Sequence, residues 1–160
     1  MGREYSFMDS EFRSARYRDE SSGDFVRGLV AIAMPFKGEQ STDVFTVIKE
    51  ECLKIGLDAQ RVDEYVRSGV VIRDIAQLIE NAEFLVFDLS GERQNVYYEL
   101  GYAHGVGNEA SEILLIAKEG TPLHYDIAGL RVQFYTSPDH LRSILASTLP
   151  EMVRVGRSRE

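Results

Sequence analysis

Short apolar runs are spaced along the chain, and between them apolar residues recur every three or four positions. This alternation limits the fold more than any other feature, because strands and helices demand different periods. GLVAIAMPF (28–36) opens the pattern as a continuous apolar run closed by Pro35. Such runs suit strands of a parallel sheet that is covered on both faces. STDVFTVIKEECLKIG (41–56) follows, with Val44, Ile48, Cys52 and Ile55 on one helical stripe. Ser41 or Thr42 is its expected cap and Gly56 its expected end. LDAQRVDE (57–64) reads as a short second strand. SGVVIRDIAQLIENA (68–82) reads as a helix, with Ile72, Ile75, Ile79 and Ala82 at helical spacing.

EFLVFDLS (83–90) is the third strand, followed by a helix over about 96–106. EILLIAKEG (112–120) is a fourth strand, TPLHYDIAGL a loop, LRVQFYT (130–136) a fifth strand and DHLRSILASTL (139–149) a last helix. Strands alternating with helices predict a parallel sheet with helices on both faces. Right-handed crossovers leave few ways to wind it. The expectation is an α/β fold, a flavodoxin-like doubly wound sandwich with a five-stranded parallel sheet. Ligands in such sheets bind beyond the carboxyl ends of the strands.

At 160 residues the chain suits one domain with a real core. Residues 1–25 are polar and charged without a clean period and read as an arm; residues 26–155 read as the single folded domain. The net charge of −8, with no basic run, argues against duplex DNA or RNA as a partner. No apolar run is long enough to span a membrane, and the first residues carry no signal-peptide core. The single cysteine, Cys52, excludes an internal disulfide and fits a reducing cytoplasm. His104, His124 and His140 are too far apart for a metal-binding spacing, so no metal is expected. Neither a GxGxxG fingerprint nor a phosphate-binding Gly-Lys-Ser/Thr triplet occurs, and no cofactor is expected.

The carboxyl edge collects the candidate site residues. The first strand ends in Met34, Pro35 and Phe36, the second near Asp63, and the third in Asp88, Leu89, Ser90 and Gly91. FDLSGERQNVYYELGYAHG (87–105) then enters a helix with Asn95 as its expected cap. Helical side chains lean toward the helix amino end, so Glu99 should point back to the ligand edge, with Tyr98, Tyr102 and Asn95 around it. A glutamate so placed also answers to the helix dipole alone, and Asp88 at a strand end can equally serve to satisfy backbone amides of the next turn. Asp74, on the preceding helix, reads from the residues alone as an ordinary helix acid.

VAIAMPF, AEFLVFDLSG, NVYYELGYAHG, ILLIAKEG and DIAGLRVQFY together resemble the nucleoside 2-deoxyribosyltransferase-like superfamily over about residues 28–136. The segment around ELGYA is the most specific element. The resemblance implies N-glycosidic bond chemistry, either transfer or hydrolysis, on a nucleoside or nucleotide. It implies Glu99 as nucleophile or oxocarbenium stabiliser, and Asp74 as the acid that contacts or protonates the base. The substrate would meet Met34, Pro35, Phe36, Asp63, Asp88, Ser90, Gly91, Asn95, Tyr98 and Tyr102. Arg93 stands where the transferases carry an acid; with Asn95 it suits a phosphate, and so a nucleotide better than a nucleoside. Family sites are often completed by a neighbouring subunit, which implies a homo-oligomer and directs attention to Tyr125, Asp126 and Arg131. An internal ion pair between Asp126 and Arg131 is the competing expectation. Two other readings fit the same residues: a TIR-like enzyme that cleaves NAD, and a nucleotide-binding or assembly module without turnover.

Overall fold

The computed structural model describes residues 25–35, 39–62, 72–127 and 129–159. Their elements run β1 (Val26–Ala33), α1 (Glu39–Lys54), β2 (Asp58–Arg61), α2 (Ile72–Asn81), β3 (Ala82–Asp88) and α3 (Gln94–Gly105). β4 (Ile113–Lys118), a 3-10 turn (Tyr125–Ile127), β5 (Val132–Tyr135) and α4 (Pro138–Arg157) complete them. The strands pair in parallel in the order β2-β1-β3-β4-β5. This is the expected flavodoxin-like, doubly wound α/β sandwich. The polar arm up to residue 24, Phe36 and Asp63 lie outside the described residues.

Strand alternation splits the core into two layers. Val30, Ile32, Val86 and Ile116 face α1 and α4, where Val44, Ile48, Cys52, Leu141 and Leu145 meet them. Ala31, Leu85, Phe87 and Leu115 face α2 and α3, against Leu78, Ile79, Val96, Leu100 and Ala103. Each large aliphatic side chain withdrawn from water in these layers contributes roughly 1.5–3 kcal/mol. Cys52 is fully buried, and burial above all, then the Glu51 and Asp58 charges, pushes its thiol up to about 12. It is a core side chain rather than a nucleophile.

Element ends depart from the sequence in places. α1 begins at Glu39, so Ser41 and Thr42 lie inside it rather than capping it. Its other end is as expected. Gly56 takes φ +76°, its N–H donates to Leu53 O, and the Leu57 N–H donates to Cys52 O, satisfying carbonyls of the last turn. α4 runs on through Pro150 to Arg157, because the apolar stripe of Leu141, Leu145, Leu149 and Met152 continues past the proline. That extension brings Arg157 to Glu83 at the amino end of β3. No helix among the described residues is long and apolar enough to cross a membrane.

Candidate functional site

Strand order reverses between β1 and β3, since β2 lies on one side of β1 while β4 and β5 extend beyond β3. A crevice opens outside the carboxyl ends at such a point. Ala33 and Phe87 are register partners there, followed by Met34-Pro35 on one side and Asp88 on the other. Met34 is buried in the layer facing α1 and α4, on the same side of β1 as Val30 and Ile32. Its side chain is therefore part of the core at the carboxyl edge, whereas Pro35 is half-buried there.

Asp88 is buried and accepts from the Ser90 N–H at 3.0 Å, the Ser90 hydroxyl at 2.6 Å and the Tyr135 hydroxyl at 3.1 Å. Ser90 Oγ in turn accepts the Lys118 N–H at 2.7 Å. Burial pushes the Asp88 carboxyl above its ordinary value despite these donors. The resemblance implies Asp88 and Ser90 against substrate. The bond from the Ser90 N–H matches the other reading of Asp88, an acid that satisfies the backbone of the following turn, and these polar atoms join the ends of β3, β4 and β5. Tyr135 is the partner the sequence did not disclose, because only the sheet order brings it to Asp88.

After Asp88 the chain turns sharply. The Glu92 N–H donates to Leu89 O at 3.2 Å, and Gly91 takes φ +72° at the third position of the turn, where a glycine is suited. Glu92 also has positive φ, +48°, which is uncommon for a residue with a side chain. α3 then begins at Gln94 with Arg93 as N-cap in extended conformation, without a side-chain capping bond. Asn95 is therefore inside the first turn and not the cap. The cause is the turn itself, which delivers an extended residue one step before Gln94.

α3 buries Val96, Glu99, Leu100 and Ala103. Glu99 is only 5% exposed, a degree of burial it shares with Glu51 and Glu83 and that carboxylates seldom reach unless paired. Asn95 is half-buried one turn before it, and Tyr98, at 61%, is exposed. The Tyr102 hydroxyl, expected beside Glu99, donates to Glu80 on α2 and ties the two helices together. Burial foremost, and then Glu80, pushes the Tyr102 phenol above its usual range. Asp74 sits half-buried in the first turn of α2, whose amino end faces the same sheet edge. A carboxylate held out of water acts more strongly on positive charge that develops nearby than a solvated one does.

Two clefts lie elsewhere. One of about 790 Å³ runs along the other face of α3, lined by Gln94, Tyr97, His104, His124 and Asp126. Tyr97 and His124 meet edge-on there, with ring centroids 5.8 Å apart. The second, about 450 Å³, lies between β5 and α4 and includes Arg131 and Glu151. Asp126 and Arg131 thus border different clefts, and among the described residues they form no ion pair with each other; both are exposed, as is Tyr125 at 91%. Neither cleft is lined by Glu99 or Asp74. Among the described residues no group of three His, Cys, Asp or Glu side chains is arranged to hold a metal ion.

No family model matches the chain, and no curated protein matches it. Among solved structures it is similar to a mutant flavo di-iron protein from Thermotoga maritima, with a TM-score of 0.55 at 14% identity. The match covers 81% of this chain and 37% of that one, and at this identity it shows the fold alone.

Proposed function

We propose that this protein cleaves or transfers at the N-glycosidic bond of a nucleoside or nucleotide, with Glu99 acting at the anomeric carbon. The observation that carries the reading is the burial of Glu99 on α3, inside the YELG segment that resembles the deoxyribosyltransferase-like superfamily. Breaking the bond between the anomeric carbon and the base nitrogen sends the electron pair to the base and leaves positive charge on the sugar. The Glu99 carboxylate either traps that carbon covalently or stabilises the charge until water or an acceptor base adds. Asp74 is the candidate acid that supplies the proton the departing nitrogen needs. The half-buried position of Asp74 at the start of α2 supports this pairing, as does the Tyr102–Glu80 bond between the two helices. Arg93 and Asn95 near the start of α3 suit a substrate phosphate. Pro35, Gly91 and Tyr98 remain the candidate substrate contacts at the edge, with Phe36 and Asp63 in segments outside the described residues. The reaction calls for no metal or cofactor. A second copy of the chain is the proposed partner, and the buried Cys52 suits the reducing cytoplasm.

The test is chromatography of free base after incubation with deoxynucleosides, deoxynucleotides, ribonucleotides and NAD, each with and without an acceptor base. Release from a nucleoside or nucleotide is the expected result. Nicotinamide release from NAD alone would move the reading to a TIR-like enzyme. No release from any member would favour a binding or assembly module.

A further inference from the structure

We propose that Tyr135 is a positioning residue. Through Asp88 and Ser90 its hydroxyl holds the Ser90–Gly91–Glu92 turn, and so places the start of the helix that carries Glu99. This inference rests on the reading of Glu99 given above, although its structural half is testable without activity.

Tyr135 is the last residue of β5, a strand whose other three residues are only half-buried. Its own burial is the exception, and its hydroxyl ends between Asp88 Oδ2 and Ser90 Oγ, at 3.1 and 3.2 Å. A proton count shows what it supplies. The Ser90 hydroxyl proton goes to Asp88 Oδ1 at 2.6 Å, and the Ser90 N–H reaches the same oxygen. The Tyr135 proton is then, among the described residues, the one side-chain donor on Oδ2. Without it, a buried carboxylate keeps one oxygen short of a donor, a costly state that the carboxylate can relieve by rotating. Rotation of Asp88 pulls on Ser90 through both of its bonds.

Ser90 is the second residue of the turn that begins at Leu89, and Gly91 and Glu92 beyond it both hold positive φ. A conformation of that kind persists where surrounding contacts over-determine it. At its start α3 has the buried Val96 but no side-chain capping bond, so its first residues depend on the turn before them as well as on the core. The Leu89 N–H bond to Ile116 O fixes the first residue of the turn, and the contacts that place the residues after it are those of Ser90: to Asp88, to Tyr135 and to the Lys118 N–H. Glu99 lies five residues into the helix, so movement of the turn is transmitted to its carboxylate. Tyr135 does not need to touch substrate for this effect.

The experiment compares the full-length chain with Tyr135→Phe, Ser90→Ala and the double variant. Amide hydrogen exchange is measured throughout, and base release from whichever deoxynucleoside, deoxynucleotide or ribonucleotide of the panel the parent cleaves. In Tyr135→Phe, exchange at residues 92–97 should rise about tenfold while the amides of β1 and α4 keep their rates. kcat should fall about tenfold with KM within about twofold, because binding groups at the edge remain. The double variant should resemble the worse single variant, as expected of residues that act as one unit. Unchanged exchange at 92–97, a uniform rise across the whole sheet, or additive effects would each overturn the proposal. Absence of base release from the parent would defeat the reading of Glu99, and the exchange data would still decide whether Tyr135 places the helix.

Discussion

The Tyr102 hydroxyl donates to the Glu80 carboxylate, and this bond fastens the helix carrying Glu99 to the helix carrying Asp74. The two candidate acids sit on separate helices, and chemistry that needs both depends on their spacing. Tyr102→Phe keeps the ring and removes the bond. It should lower stability by about 1 kcal/mol, the usual net worth of one hydrogen bond or slightly more when the acceptor is charged. It should also reduce kcat more than KM. Urea unfolding and steady-state kinetics measure the two effects, and a pure KM effect would assign Tyr102 to substrate binding instead.

Glu83 anchors the other end of the sheet. Burial alone would raise its carboxyl pKa, but the Arg157 guanidinium and the Gly28 N–H outweigh it and hold the group below its ordinary 4.5. A folded value below the unfolded one contributes stability that is complete above about pH 4.5 and drains away as pH falls through the folded value. Glu83→Gln should therefore cost roughly 1–3 kcal/mol at pH 7, less than a fully buried pair because Arg157 reaches solvent. It should also flatten the loss of stability below pH 4.5. Urea titrations between pH 7 and 3 would show a curve merely displaced in parallel if Glu83 were not the source.

Gly156 packs its α-carbon over the Phe84 ring. A β-carbon added there would lie 2.8 Å from Cε1 of a fully buried ring. Gly156→Ala gains helix propensity on paper, yet it should lower stability by about 1–3 kcal/mol through overpacking. Thermal unfolding should show a midpoint lower by several degrees, and a raised midpoint would mean that α4 shifts freely at its end.

Glu92 offers the opposite sign. Its φ of +48° burdens the turn before α3. Glu92→Gly should be neutral or stabilising by up to about 1 kcal/mol, and Glu92→Val destabilising by more than that. Equal midpoints for both variants would show that the backbone there is unstrained.

Much of this architecture is legible in the sequence because each strand is a continuous apolar run and each helix a stripe. Val30, Ile32 and Met34 even share a parity, which is why Met34 turns into the core although it stands at the ligand edge. Glu99 is legible because its helix follows the strand that ends in Asp88. The Tyr135–Asp88 contact is not, since it spans 47 residues and exists only once β5 lies beyond β4. Asn95 imitates a cap, but the positive φ of Gly91 and Glu92 moves the extended residue to Arg93. Pro150 looks like a helix end, and the apolar stripe on both sides of it carries the helix past.

Base release by Glu99→Gln, measured beside the parent with the thermal midpoint of both, decides whether the carboxylate performs the reaction. Replacing the carboxylate by an amide of the same shape removes the charge and keeps the size of the side chain. Loss of base release by at least about a thousandfold, with a midpoint within a few degrees of the parent, is the predicted result. Undiminished release, or a collapse of the midpoint with activity falling only in step, would contradict the account and leave Glu99 a structural residue.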